Sequence, residues 1–118
     1  MTWATRLDIL FGTDDPAAEL NSQRGLDRRY GTARAKLIRR RLDDLRAATV
    51  LNDMRHLPGR CHELKYDRKG QLVVHLDGPY GLVFEPANEP VPRLPNGGLD
   101  WTRITAVRII GVEDYHDG

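Results

Sequence analysis

The chain has a single cysteine, few aromatic residues and no long apolar run, and each shortage excludes a class of protein. With only Cys61 available, an intrachain disulfide is impossible, which is typical of the reducing cytoplasm. No apolar stretch approaches the ~20 residues of a membrane-spanning helix, and the opening MTWATRLDILFGTDD lacks the pattern of a signal peptide. One cysteine and scattered histidines also lack the paired spacing of a zinc site. We therefore expect a cytoplasmic protein with no metal, cofactor or membrane contact.

What is present is a chain of 118 residues, 40% hydrophobic and 30% charged, which suffices for a modest core. Residues 1–118 are therefore expected to form a single domain. The net charge is only +1, but residues 24–69 hold 14 Lys and Arg against six Asp and Glu. Such a basic region favours a polyanionic partner such as nucleic acid, although a solvated helical face is an alternative interpretation.

The first half of the chain predicts a strand followed by two helices. Residues 7–11, LDILF, predict the strand, and the Asp-Pro pair at positions 15 and 16 predicts the start of a helix that runs to about residue 22. A turn is expected through residues 28–31. From residue 32 to about residue 48, an apolar stripe at helical spacing predicts the second helix: Ala35, Ile38, Leu42, Leu45 and Ala48.

The second half predicts a sheet. The stretch from Arg60 to Phe84 predicts three short strands joined by two tight turns, DRKG and DGP, with Leu72, Val74 and Leu76 on one face. Residues 86–99 are rich in proline and glycine and predict a surface loop, and residues 102–112 predict a final, well-covered strand. Helices grouped early and strands grouped late favour an α+β fold, in which the helices pack on one face of a small, mainly antiparallel sheet.

The motifs, taken in order, resemble a known family. The basic helix of residues 33–48 is followed by LPGRCHELKYDRKGQ, DGPYGLVFEP and TAVRIIGVEDYH, and this combination is similar to the HigB-type toxins of the RelE/ParE superfamily, also called plasmid maintenance killer proteins. The resemblance implies a RelE-like microbial ribonuclease fold. It also implies a toxin of a type II toxin–antitoxin system that enters the ribosome and cleaves mRNA. Its partners would be the ribosome with its mRNA and a helix-turn-helix antitoxin, and operator DNA would be contacted only through that antitoxin.

The resemblance also implies a catalytic set: His62, Lys65, Asp114, Tyr115 and His116. Metal-independent RNA cleavage needs a base, an acid and cations that offset charge on the phosphate, and histidine suits the first two roles. Strict alternation would place His62 and Lys65 on opposite faces, so a twist or bulge is expected between them. The structural alternatives are a hydrogen-bonded, partly buried His62, a frayed tail at His116, and a Tyr115 that merely covers the sheet edge.

Five further cations are candidate RNA or phosphate ligands: Arg68, Lys69, Arg108, Arg39 and Arg40. The first two cluster at the first hairpin turn, and the last two lie on the basic helix, where pairs with the aspartates four residues on are the alternative. Arg108 is expected either to reach the cleft or to form an ion pair with Glu85.

Two positions depart from the family pattern. Tyr66 stands where the motif GDR has glycine, and Gly81 stands where the family has an arginine that is expected to hold the scissile phosphate. Gly81 therefore leaves open a catalytically impaired homologue that serves as an antitoxin-binding partner or corepressor, and Gly81→Arg is expected to restore activity if only the arginine is missing. A free ribonuclease or general RNA-binding protein is a third interpretation, based on charge alone.

Overall fold

The computed structural model describes residues 6–11 and 23–115, which form an α+β fold, as predicted. Strand β1 (Asp8–Phe11) precedes helix α1 (Gln23–Ala47) and a short 3₁₀ helix (Leu51–His56). The remaining elements are β2 (His62–Glu63), a 3₁₀ turn (Tyr66–Arg68), β3 (Leu72–His75), β4 (Tyr80–Pro86) and β5 (Ala106–Asp114). The predicted first helix, residues 15–22, lies outside the described residues.

The strands form one mixed sheet in the order β1-β5-β4-β3-β2. Strand β1 runs parallel to β5, and the other neighbours are antiparallel. Strand β5 thus has a partner on each side, which agrees with the covered strand that its apolar residues predict. Its predicted start at residue 102 is wrong, because the Asp100 carboxylate accepts hydrogen bonds from the backbone N–H and the hydroxyl of Thr102 and holds a turn there.

Helix α1 begins earlier than predicted and is kinked. The turn expected through residues 28–31 is confirmed only at Gly31, which leaves helical geometry at φ 79° and ψ 161° and divides α1 into two helical segments, whereas residues 28–30 are helical. Leu26, on the first segment, is buried in the core, which gives that segment a packing partner. Glycine accepts the positive φ at the kink without steric cost.

The main core lies between α1 and one face of the sheet. The predicted helical stripe is fully buried, and it packs against a set of sheet residues that share one face: Leu72, Val74, Leu76, Leu82 and Phe84. The predicted alternation in β3 is therefore confirmed. The opposite face of the sheet, called the distal face below, carries a smaller buried cluster of Leu64, Val73 and Val83, against which Ile110 and Tyr115 pack.

The long connection from β4 to β5 is exposed at residues 93–98 and anchored at its ends. The Asn88 side-chain oxygen accepts hydrogen bonds from the backbone N–H groups of Thr105 and Ala106, both at 3.0 Å. Leu99 and Trp101 are buried in the main core. Within the described ranges, no helix is both long and apolar enough to cross a membrane.

Candidate functional site

A β-bulge in β5 determines which side chains reach the distal face. Val83 pairs with Gly111 but Phe84 pairs with Ile109, so Ile110 is an extra residue in the ladder. An extra residue shifts the alternation of the strand by one position. Val107 and Ile109 therefore face α1 before the bulge, whereas Tyr115 packs on the distal face after it. Without the bulge, continued alternation would turn Tyr115 toward the helix.

Two histidines lie beside the Tyr115 ring. His62 pairs with Val73 in the β2–β3 ladder and therefore shares its face, and His75 follows Val73 by two residues. The ring centroid of Tyr115 is 6.2 Å from that of His62 and 6.3 Å from that of His75. The sequence predicts His62 and Tyr115 in one site, and the structure brings them together. It adds His75, to which the sequence assigns no role.

Tyr115 and His75 are joined by a hydrogen bond of 3.3 Å between the phenolic oxygen and Nδ1. Either the imidazole N–H donates to the oxygen, or the phenol donates to the unprotonated nitrogen. In the first tautomer the lone pair lies on Nε2, which makes His75 a candidate base. The bond therefore fixes the ring orientation of a titratable group on the distal face.

Gly81 makes this arrangement possible. It lies directly opposite His75 in the β3–β4 ladder, and the ring of Tyr115 lies over it. A Cβ at this position would be 2.4 Å from Cγ2 of Val73 and 2.7 Å from Cε1 of Tyr115. An arginine at this position, as in the HigB-type pattern, therefore does not fit while the tyrosine keeps its position. Testing activity with Gly81→Arg would thus also displace the Tyr115 ring.

His62 is held by a backbone carbonyl. Its Nδ1 lies 2.6 Å from the oxygen of Arg60, to which it donates, and its Nε2 is buried. This is the hydrogen-bonded, partly buried histidine that the sequence allowed as an alternative. Strand β2 ends at Glu63, so strict alternation does not extend to Lys65, which is exposed before the 3₁₀ turn. The acid–base role of His62 stays a prediction.

A cationic concavity of about 360 Å³ adjoins His75 and Tyr115. Its other lining residues are Arg41, Gly59 and Arg60. Arg41 is 8% exposed, its Nε donates to the backbone oxygen of His75 at 3.1 Å, and its Nη1 lies 3.9 Å from a carboxylate oxygen of Asp44, a longer pair than those of Arg68 and Arg108. It reaches this carbonyl because Gly59 has no side chain, since a Cβ there would be 2.8 Å from Nε. Two guanidinium groups and an oriented imidazole thus meet in one pocket, called the arginine pocket below.

Two of the cations predicted from the sequence, Arg68 and Arg108, are engaged in ion pairs. Arg68 contacts Glu113 at 2.8 Å and donates from Nε to the Gln71 side chain at 2.7 Å. Arg108 contacts Glu85 at 3.2 Å, which is the structural alternative expected for it. Both arginines therefore already have a carboxylate neighbour, which weakens their attraction for a phosphate.

On the basic helix, Arg39 pairs with Asp27 at 3.2 Å rather than with the aspartate four residues on, and Arg40 is exposed. Lys69 is exposed at the first hairpin turn and lines a second concavity of about 220 Å³ together with Glu63 and Arg93.

The remaining predicted residues are at the end of β5. Asp114 is exposed and pairs with Tyr80, so by register it lies on the α1 side rather than on the distal face. His116 lies outside the described residues. The structure thus brings together two residues of the expected catalytic set, His62 and Tyr115, and leaves Lys65 and Asp114 apart from them.

Cysteine chemistry is disfavoured at neutral pH. Cys61 is partly buried against the main core, and burial raises the pKa of its thiol to about 12, with the Glu63 charge acting in the same direction and Arg55 in the opposite one. Because the thiolate is the nucleophilic form, this raised pKa disfavours a nucleophilic role for Cys61 at neutral pH.

No known protein family matches the chain, and a comparison with curated proteins found no significant relative.

Proposed function

We propose that the protein is a HigB-like toxin of the RelE/ParE type, a ribosome-dependent mRNA endonuclease that a helix-turn-helix antitoxin neutralises. The observation that carries the proposal is the arginine pocket, in which Arg41, Arg60, His75 and Tyr115 line one concavity of about 360 Å³. The order of elements, with a helix on one face of a mainly antiparallel sheet, is consistent with the RelE-like fold that the motifs imply.

The pocket suits a phosphodiester. Arg41 and Arg60 offset negative charge on the non-bridging oxygens, and guanidinium groups match phosphate geometry well. His75, oriented by Tyr115, takes the proton of the 2′-hydroxyl through Nε2. The 2′-oxygen then attacks phosphorus, the bond to the 5′-oxygen breaks, and a 2′,3′-cyclic phosphate forms. Of the two histidines that the sequence nominates, the acid that protonates the leaving oxygen would be His116, because Nδ1 of His62 donates to a backbone carbonyl and its Nε2 is buried.

The partners follow from the same proposal. The ribosome would present the mRNA, the antitoxin would cover the site, and operator DNA would be reached only through the antitoxin. The concentration of cations between residues 24 and 69 favours association with ribosomal RNA, because phosphate contacts supply most sequence-independent affinity.

The test is expression without an antitoxin. The wild-type chain should arrest growth and deplete messages, and His75→Ala should relieve the arrest. His56→Ala is the matched control, because His56 is exposed on the 3₁₀ helix and does not line the arginine pocket. Normal growth and intact messages under wild-type expression would contradict the proposal, as would an undiminished arrest by the His75 variant.

A specific observation favours the second candidate, a catalytically impaired homologue that binds an antitoxin. Gly81 replaces the family arginine, and Arg68 and Arg108 are paired with carboxylates. In that case the wild-type chain would leave messages intact yet form a stable complex with a helix-turn-helix partner. Combining a message assay with a co-purification assay separates the two candidates.

A further inference from the structure

Tyr66 has the most unusual combination of exposure and backbone geometry in the described part of the chain. Its side chain is 85% exposed, the largest value among the exposed large hydrophobic residues there. Its φ of 58° lies in the left-handed region, which side chains with a Cβ rarely adopt. The family motif has glycine here, the residue that fits this backbone. A large aromatic ring therefore occupies a position where it gains little burial and strains the backbone.

The turn that carries Tyr66 is held by backbone hydrogen bonds and an ion pair. The backbone N–H of Lys69 donates to the oxygen of Tyr66 at 3.0 Å, and that of Arg68 donates to the oxygen of Lys65 at 3.1 Å. The Arg68 side chain then ties the turn to β5 through Glu113 at 2.8 Å. An aromatic ring on a fixed turn loses little conformational entropy when it binds a ligand.

The charges next to the ring are mixed but net positive. Lys65 precedes the ring, Lys69 follows it by three residues, and both are exposed, as is the single carboxylate of this stretch, Asp67. Lys69 also lines the concavity of about 220 Å³ with Arg93 and Glu63. An exposed aromatic ring beside cations is the arrangement by which proteins bind single-stranded nucleic acid, with bases stacked on the ring and phosphates on the cations.

We propose that Tyr66 is a stacking platform for an unpaired nucleobase of single-stranded RNA, with Lys65 and Lys69 contacting the adjoining phosphates. This inference rests on the proposed function and adds to it a second RNA contact, separate from the arginine pocket. An exposed ring at a strained backbone position supports a binding role, because backbone strain is concentrated at functional sites.

The test uses the full chain and a fluorescein-labelled oligoadenylate of about 12 nucleotides at about 50 mM salt. Tyr66→Phe keeps the ring, and its Kd should stay within about twofold of wild type, since stacking does not need the hydroxyl. Tyr66→Asn and Tyr66→Gly remove the ring but accept a positive φ, and both should weaken binding by roughly tenfold. Tyr66→Gly should also raise Tm by roughly 2–5 °C, because it relieves strain.

Weaker RNA binding together with a higher Tm is the result that identifies a binding role for Tyr66. If Tyr66 had a structural role, its removal would lower both RNA affinity and Tm. A sugar–phosphate control with the bases absent should bind wild type and Tyr66→Gly equally. Arg60→Asn, which removes a cation of the arginine pocket and also accepts a positive φ, tests the proposed function separately.

The two failures are distinguishable. If Arg60→Asn weakens binding while the ring-deleting Tyr66 variants bind as wild type, the stacking inference is overturned and the proposed function stands. If the wild-type chain binds no oligoadenylate, the stacking inference is overturned, whereas the proposed function is tested by message cleavage on programmed ribosomes. If ring deletion leaves RNA binding intact but abolishes capture of a helix-turn-helix antitoxin, Tyr66 is a protein contact and the inference is wrong.

Discussion

Replacing Gly81 with alanine tests whether Tyr115 depends on the space that this glycine leaves. In a strand without a close neighbour, glycine to alanine stabilises a protein by about 0.5–1 kcal/mol, because glycine loses more backbone entropy on folding. At Gly81 the added Cβ would lie 2.4 Å from Val73 and 2.7 Å from Tyr115. Val73 is fully buried between strands, so the tyrosine ring must move outward or the strands must separate.

We therefore expect Gly81→Ala to destabilise the protein, whereas glycine to alanine in an open strand stabilises it. Overpacking of this kind costs about 1–3 kcal/mol, so Gly81→Ala should lower the free energy of unfolding. For a chain of this size that corresponds to a fall in Tm of roughly 4–12 °C. Displacement of the ring should also break the 3.3 Å bond to His75 and reduce any activity that depends on its orientation.

The assay is thermal unfolding together with near-ultraviolet circular dichroism, which reports the packing of tyrosine rings. Gly98→Ala is the matched control, because Gly98 is exposed in the β4–β5 connection and the nearest atom to an added Cβ would be the exposed side-chain oxygen of Asn96 at 3.2 Å. A stabilised Gly81→Ala protein with an unchanged tyrosine signal would refute the close contact between Gly81 and Tyr115.

Two other predictions concern the arginine pocket and the buried thiol. Arg41→Met keeps the apolar stem but removes the charge, so the slope of log Kd for single-stranded RNA against log salt should become shallower by about 0.7; an unchanged slope would remove Arg41 from the RNA contact. The pKa of Cys61 is raised from 9.0 to about 12, so its contribution to stability is full below pH 9 and declines as the pH rises toward 12. Cys61→Ala should flatten the decline of Tm over this range, whereas parallel curves for both proteins would contradict the burial of the thiol.

The parts of the fold that could be predicted depend on local periodicity. The apolar stripe of α1 and the alternation of β3 are patterns among residues close together in the sequence, and the structure confirms both. Residues 28–30 are helical, however, and Leu26 in the same segment packs into the core, a contact that depends on distant residues. The basic helix could likewise be predicted from local periodicity. The position of Arg41 could not, because it depends on a hydrogen bond to the backbone of His75, which is distant in sequence.

The site could be predicted only in part, because the bulge at Ile110 changes the alternation of β5. Gly111 after two isoleucines is a weak sign of an irregular strand, and it does not say which residue is extra. The bulge places Tyr115 on the distal face, where His75 is its hydrogen-bond partner. The glycine at position 81, which looks like a loss against the family pattern, is the residue that admits the tyrosine ring.

The most direct test of the proposed activity is to incubate the purified chain with ribosomes programmed with a defined message and to map the 3′ ends of the RNA. Wild type should cut the message and leave 2′,3′-cyclic phosphate ends, and His75→Ala should leave it intact. A message that stays intact with the wild-type protein, or one that the His75 variant cleaves equally well, would contradict the assignment of the arginine pocket as the site of RNA cleavage.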